Sequence, residues 1–279
     1  MLYANRMGRL AVLLGCALLA ACGAVAPGTE EPRARVQAQE IEAQAERSLA
    51  QGDHAAAVRQ FAEAARLRLS MDEREAAGRN RLRQAEAELA RKQPEAALEL
   101  AGSVNDASLA EPALLLRVQA NLALGRVDVA RPLLNRLGRL CASGCERRGL
   151  YLLLRARMAW IDGNIQAAQR DAEAAAPLLR ARQDERELAN AWRLIAAARL
   201  QTGSAASALT AAQTALELDK QLAASENIAR DWLLIGDILR RAGKAEAKTA
   251  YLRARSVAEA AGLPELAAIA EQALAQEAR

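Results

Sequence analysis

From about residue 36 to the end, apolar residues recur every three to four positions, and no stretch alternates apolar and polar residues in the way a half-buried strand does. This spacing predicts helices throughout. The helices are punctuated at near-regular intervals. Gly52, Gly125, Gly163, Gly203 and Gly243 each follow one apolar helical stretch and precede another, and Lys92 fills the corresponding place in a sixth unit. The steps between successive breakers are 40, 33, 38, 40 and 40 residues, so the chain is periodic on the scale of a helix pair.

Aligning on the breakers exposes a residue pattern. Segments 192–215 (WRLIAAARLQTGSAASALTAAQTA) and 232–254 (WLLIGDILRRAGKAEAKTAYLRA) both open on Trp, place Ile three positions later and reach the turn glycine eleven positions after the Trp. Downstream, Gly52 is followed at offsets 5, 9 and 12 by Ala57, Phe61 and Ala64. Gly163 is followed by Ala168, Ala172 and Ala175, and Gly203 by Ala208, Ala212 and Ala215. Small residues at these places let two helices approach closely, while larger ones fill the groove between neighbouring pairs. Glycine at the turn carries the backbone past a helix end without a Cβ penalty. No single unit buries its apolar stripe alone; stacking does it.

This pattern resembles the tetratricopeptide repeat, over nearly the whole chain after the first 35 residues. The resemblance implies an all-α fold: a right-handed superhelical array of about six helix–turn–helix units closed by a capping helix at 264–279. Gly262 and Pro264 supply its break and restart, and Leu266, Ile269, Ala270, Ala273 and Leu274 its apolar stripe. Three departures stand out. A 40-residue step exceeds the usual ~34 by most of an extra turn per helix. The second unit lacks Trp and turn glycine and puts polar residues at core places. In the last unit Ala247, Tyr251 and Ala254 arrive one position early. The two glycines and lysine of WLLIGDILRRAGK (232–244) belong to this pattern. A phosphate-binding loop needs four residues between its glycines and then Lys with Ser or Thr, whereas Gly236 and Gly243 have six residues between them and Ala245 follows Lys244.

The N-terminus carries an address. Arg6 and Arg9 precede an apolar run from Leu10 to Ala21, too short for a membrane span and suited to a secretory signal. It ends in Leu19-Ala20-Ala21-Cys22, which resembles a bacterial lipobox; a plain cleaved signal with an incidental cysteine is the alternative. The resemblance implies a signal peptide over 1–21, lipidation at Cys22 and anchoring of the mature chain to a membrane, with Gly23 after the cysteine favouring the periplasmic face of the outer membrane. Residues 22–35, rich in Gly and Pro, read as a flexible tether, and 36–279 as the repeat domain. Removing the signal turns a formal charge of +4 into +2. With no basic tract, nucleic acid is not an expected partner.

Little catalytic chemistry remains. His54 is the sole histidine, with no nucleophile motif beside it, and it reads as a surface or packing residue. Asp184, Glu185 and Glu187 lie among Arg180, Arg182 and Arg186, as on a solvated mixed-charge helix face. Cys141 and Cys145 fall where a loop is due. A local disulfide is the leading reading, ahead of a zinc site short of ligands or a redox pair with the wrong spacing. No metal, cofactor or catalytic residue is expected.

The family resemblance implies a scaffold that binds a protein or peptide partner on its concave surface, lined by the first helix of each pair. Carried over by position, the candidates are Gln119, Arg157, Trp160, Asn190, Arg193, Arg230, Asp237 and Arg240. An exposed Trp160 beside arginines suits an extended or helical segment of acidic character, unless Trp160 simply packs on the next unit. The address points to cell-envelope biogenesis: cell-wall synthesis, pilus assembly or outer-membrane assembly. The competing reading, a helical-superhelix enzyme acting on peptidoglycan or another carbohydrate, needs an acidic Glu in an aromatic cleft. Aromatics are only 3% of this chain.

Overall fold

A computed structural model describes residues 32–142 and 144–277; the signal segment, Cys22 and most of the expected tether lie outside the described residues. Thirteen α-helices form six antiparallel pairs and a final single helix. The pairs are α1 (Arg33–Ala50) with α2 (His54–Ser70), α3 (Arg74–Ala90) with α4 (Pro94–Gly102), and α5 (Ala110–Ala123) with α6 (Val127–Cys141). They continue with α7 (Arg148–Ile161) and α8 (Ile165–Ala181), α9 (Glu185–Gln201) and α10 (Ala205–Gln221), and α11 (Ser225–Arg241) and α12 (Ala247–Ala260). Helix α13 (Pro264–Glu277) caps the array. Each helix packs mainly on its neighbours in sequence, and the described residues contain no strand. None of their helices is long and apolar enough to cross a membrane.

The turn chemistry explains the period. Gly52, Gly125, Gly163, Gly203 and Gly243 all have left-handed backbone, and Lys92 adopts the same conformation at φ 61°. In the first turn Gly52 N–H donates to the Leu49 carbonyl and Asp53 N–H to that of Ser48, the two bonds that close a helix end around a left-handed residue. The connections between pairs repeat this geometry on Asp72, Gln183, Ala223 and Gly262. Only the last of these is a glycine. Two 17-residue helices and two three-residue turns fill the 40-residue step of the fifth pair. The 33-residue step arises because α4 is only nine residues long.

The packing positions behave as the spacing predicts. Ala57, Phe61 and Ala64, and the alanines at the same offsets in the fourth and fifth pairs, are buried. Ala247, Tyr251 and Ala254 are also buried, so the last pair keeps its core with a one-residue shift. Seven positions before each turn residue lies a small partner: Ala45, Ala85, Val118, Ala156, Ala196 and Gly236. The first five share hydrophobic clusters with Phe61, Ala101, Leu134, Ala172 and Ala212 respectively. Gly236 faces Tyr251 so closely that a Cβ on it would stand 2.6 Å from Cδ1 and 2.8 Å from Cζ of the ring.

One boundary and one apolar face differ from expectation. Helix α1 begins at Arg33, inside the expected tether, because Pro32 lies just outside the first turn and its carbonyl accepts from the Arg35 and Val36 amides. In α13, Leu266 and Ala270 are buried while Ile269 is 49% exposed. The stripe on the cap is therefore narrower than the sequence suggests.

Candidate functional site

Odd-numbered helices supply most of the walls of the cavity enclosed by the array. Six positions before each turn they place Glu46, Glu86, Gln119, Arg157, Ala197 and Asp237, a mostly polar stripe. Arg83 bridges Glu46 and Glu86, and Arg147 Nη1 reaches Glu86 Oε1 at 2.8 Å. Further along, three of the candidate residues converge on one carboxylate. Glu187 accepts from Gln119 Nε2 at 3.3 Å, Arg157 Nη2 at 2.9 Å and Asn190 Nδ2 at 3.0 Å. Glu187 is thus a hub rather than part of a solvated mixed-charge face. Asp184, read from sequence in the same way, caps α9 by accepting from the Glu187 amide. Burial, then the charge of Glu187, raises its pKa above the carboxylate norm. Glu185 is exposed as expected.

Arg193 is committed to the core. Its guanidinium donates to Asp231 Oδ1 at 2.6 Å, to Asp219, and to Asn190 Oδ1 at 2.7 Å, while Asn227 Nδ2 donates to Asp219 at 3.1 Å. Both aspartate side chains are fully buried. Two carboxylates share one arginine there, so desolvation, with Asp219 adding to it and Arg193 opposing, pushes Asp231 up to about 7. A charge-inverted version holds the first two pairs together: Arg68 donates to Glu42 at 2.7 and 2.8 Å, and Asn80 donates to Glu42 at 2.6 Å. These residues occupy the same repeat positions as Asp219, Arg193 and Asp231. Between pairs four and five the same positions hold Leu153, Leu179 and Ala191.

The remaining candidates are spread along the array. Arg230 pairs with Glu226 at 2.8 Å. Arg240 donates to Gln276 at 2.6 Å and Asp237 at 3.1 Å, and Asp237 accepts the Tyr251 hydroxyl at 2.7 Å. Trp160, in the last turn of α7, is half-buried rather than exposed. The tryptophan that faces cations is Trp232, with Arg253 at 4.7 Å and Lys220 at 5.8 Å from its ring centre. Of the carboxyls held high, Asp184 is the N-cap of α9 and Asp231 is buried within α11 against Arg193.

The superhelix brings distant pairs face to face. Lys92, in the second turn, forms a 2.5 Å ion pair with Glu226 at the start of α11. A cavity of about 800 Å³ lies between the first and fifth pairs, walled by Leu49, His54, Gln119, Arg147, Arg186 and Glu187 among others. His54 Nδ1 is buried there without a hydrogen-bond partner. Burial, and secondarily Arg186, hold its imidazole below its ordinary pKa.

Cys141 and Cys145 are joined by a disulfide with Cα atoms 4.6 Å apart. The Glu111 carboxylate lies with the two sulfurs within 4.8 Å and accepts the Arg147 amide at 2.9 Å. Bonded to each other, the sulfurs are not free as metal ligands.

No protein-family model matches the sequence, and no curated protein matches it. Solved structures share its fold. Apo RapI aligns with a TM-score of 0.59 at 12% identity, over 86% of this chain and 71% of that one. A Rap protein complexed with competence and sporulation factor gives 0.65 at 13%, over 86% and 70%. The APC/C hetero-tetramer Cut9–Hcn1 gives 0.68 at 16%, over 84% of this chain but only 42% of the chain it matches. At these identities the likeness is one of fold. The chain has the fold of a tetratricopeptide-repeat solenoid.

Proposed function

We propose that the chain is a lipid-tethered scaffold of the cell envelope that holds a protein or peptide partner on the inner surface of its superhelix. The observation that carries this reading is the convergence of Gln119, Arg157 and Asn190 on Glu187 beside the 800 Å³ cavity. A fixed polar floor of this kind orients a partner through hydrogen bonds while the flanking leucines supply apolar contact. The Rap protein complexed with competence and sporulation factor supports the reading as a similar fold with a bound factor. The address rests on Cys22 and the segment before it, which favour an outer-membrane anchor facing the periplasm.

The pairing of the arginines supports a partner chemistry other than a purely acidic one. Arg157, Arg193, Arg230 and Arg240 are each paired with acidic groups of the chain itself, so they do not form a free cationic strip for an acidic segment. Recognition falls instead to the cavity rim, where Glu185 and Arg186 are exposed side by side. The test is co-purification from solubilised membranes, comparing the wild type with a Glu185→Lys/Arg186→Glu double variant. A recurrent envelope protein retained by the first and lost by the second is expected. Equal retention would refute the assignment of the surface.

A further inference from the structure

The joint between the third and fourth pairs differs from the others. Four of the five remaining joints, 71–73, 182–184, 222–224 and 261–263, are three-residue turns closed around a left-handed residue. The chain between α6 and α7 spans 142–147, and these two helices touch less than any other consecutive pair in the array. Beyond the joint, one continuous apolar core runs from Leu152 in α7 to Ala250 in α12 and ties the last three pairs together. Before it, the apolar clusters of the first two pairs are smaller and separate, and the cluster of α5 and α6 reaches across the joint to Leu150, Leu154 and Met158 of α7. The disulfide sits at this joint. Cys141 is buried in the cluster that α5, α6 and α7 share, and Cys145 is half-buried beside it.

The angle at this joint sets how the two ends of the superhelix meet. Lys92 touches Glu226, and His54 faces Arg186 across the cavity, only because pairs five and six turn back over pairs one and two. An exposed ion pair of this kind contributes at most about 1 kcal/mol, too little to hold the closure alone.

We propose that the Cys141–Cys145 bond is a redox-active site for a dithiol reductant, and that its reduction frees the third joint and widens the inner surface of the superhelix. A thiolate of the reductant attacks Cys145 Sγ, the more accessible sulfur; the S–S bond breaks and Cys141 leaves as a thiolate that takes up a proton. The reductant's second thiol then displaces Cys145 from the mixed disulfide. The protein gains two electrons and two protons as two thiols, and the dithiol becomes a disulfide. That this would regulate partner binding rests on the function proposed above; the opening itself does not.

The experiment uses the full chain with donor and acceptor dyes on non-natural residues replacing Gln51 and Gln221, both exposed and on opposite sides of the cavity. Energy transfer is read in the oxidised protein, after dithiothreitol, and in a Cys141→Ser/Cys145→Ser variant, with thiol alkylation confirming the redox state and circular dichroism the helicity. Reduction is expected to lengthen and broaden the distance distribution at unchanged helicity. The serine variant should show the long distances under both conditions. An unchanged distance after complete reduction, a serine variant at the oxidised distance, or a loss of helicity on reduction would each overturn the proposal. No partner is present, so failure here leaves the scaffold reading standing.

Discussion

Adding one methyl group at Gly236 tests how the helix pairs achieve their packing. A Cβ there would stand 2.6 and 2.8 Å from atoms of the Tyr251 ring. The ring has little room to yield: it is 1% exposed, its hydroxyl is bonded to Asp237 at 2.7 Å, and the Arg240 guanidinium lies 5.9 Å from its centre. Overpacking costs about 1–3 kcal/mol, against which alanine gains about 1 kcal/mol of helix propensity over glycine. Gly236→Ala should therefore destabilise by up to about 2 kcal/mol. Tyr251→Ala alone should cost about 3–5 kcal/mol as an emptied aromatic site. In that background the sign reverses. The alanine pair then matches Ala156 with Ala172 and Ala196 with Ala212, and Gly236→Ala should stabilise by up to about 1 kcal/mol. The coupling between the two sites is thus about 1–3 kcal/mol, the overpacking cost itself. Urea unfolding followed by tryptophan fluorescence is the assay, since Trp232 lies on the same helix as Gly236. A destabilising Gly236→Ala in both backgrounds would refute this account of close approach.

Three further outcomes follow from particular groups. Asp231 holds its proton to about pH 7 in the folded chain but only to about 3.8 when unfolded, so the native state binds the extra proton between those values. Stability should fall as pH rises from about 4 to about 7 and level off above, and Asp231→Asn, which keeps an acceptor for Arg193, should flatten that slope in thermal melts; an unchanged slope would contradict the shared-arginine picture. Gln183→Gly relieves a left-handed turn at φ 57° and should raise Tm by removing about 1 kcal/mol of strain, whereas Lys92→Gly should gain less because it also loses the pair with Glu226. Cys22→Ser should release the chain from membranes in fractionation without changing its melting curve, and a variant that stays membrane-bound would remove the lipid anchor from the reading.

The pair architecture was legible because its turns need left-handed backbone, which leaves a glycine at most of them. Even Lys92 was placed by its distance from Gly52 and Gly125. The connections between pairs were harder to read, since Asp72, Gln183 and Ala223 adopt the same conformation without glycine. The site was read less well. Arg193 and Gln119 both sit on first helices with polar neighbours, yet one is sealed against two buried aspartates and the other lines a cavity. A signal did exist for the first: opposite charges stand ten positions before and sixteen after the same turn, as Arg193 and Asp219 around Gly203 and as Glu42 and Arg68 around Gly52. Glu187 left no such trace, because its partners come from α5, α7 and α9 and meet only through the curvature of the array.

The central claim is that the inner surface of the superhelix is where a partner binds. It is tested most directly by photocrosslinking in cells from a benzoylphenylalanine replacing Arg186 on the cavity rim, against the same residue replacing Arg170, which is exposed on α8. The account predicts one recurrent envelope protein joined at 186 and absent at 170 in mass spectra of the adducts. Equal adducts at both positions, or links at 186 to this chain alone, would contradict it.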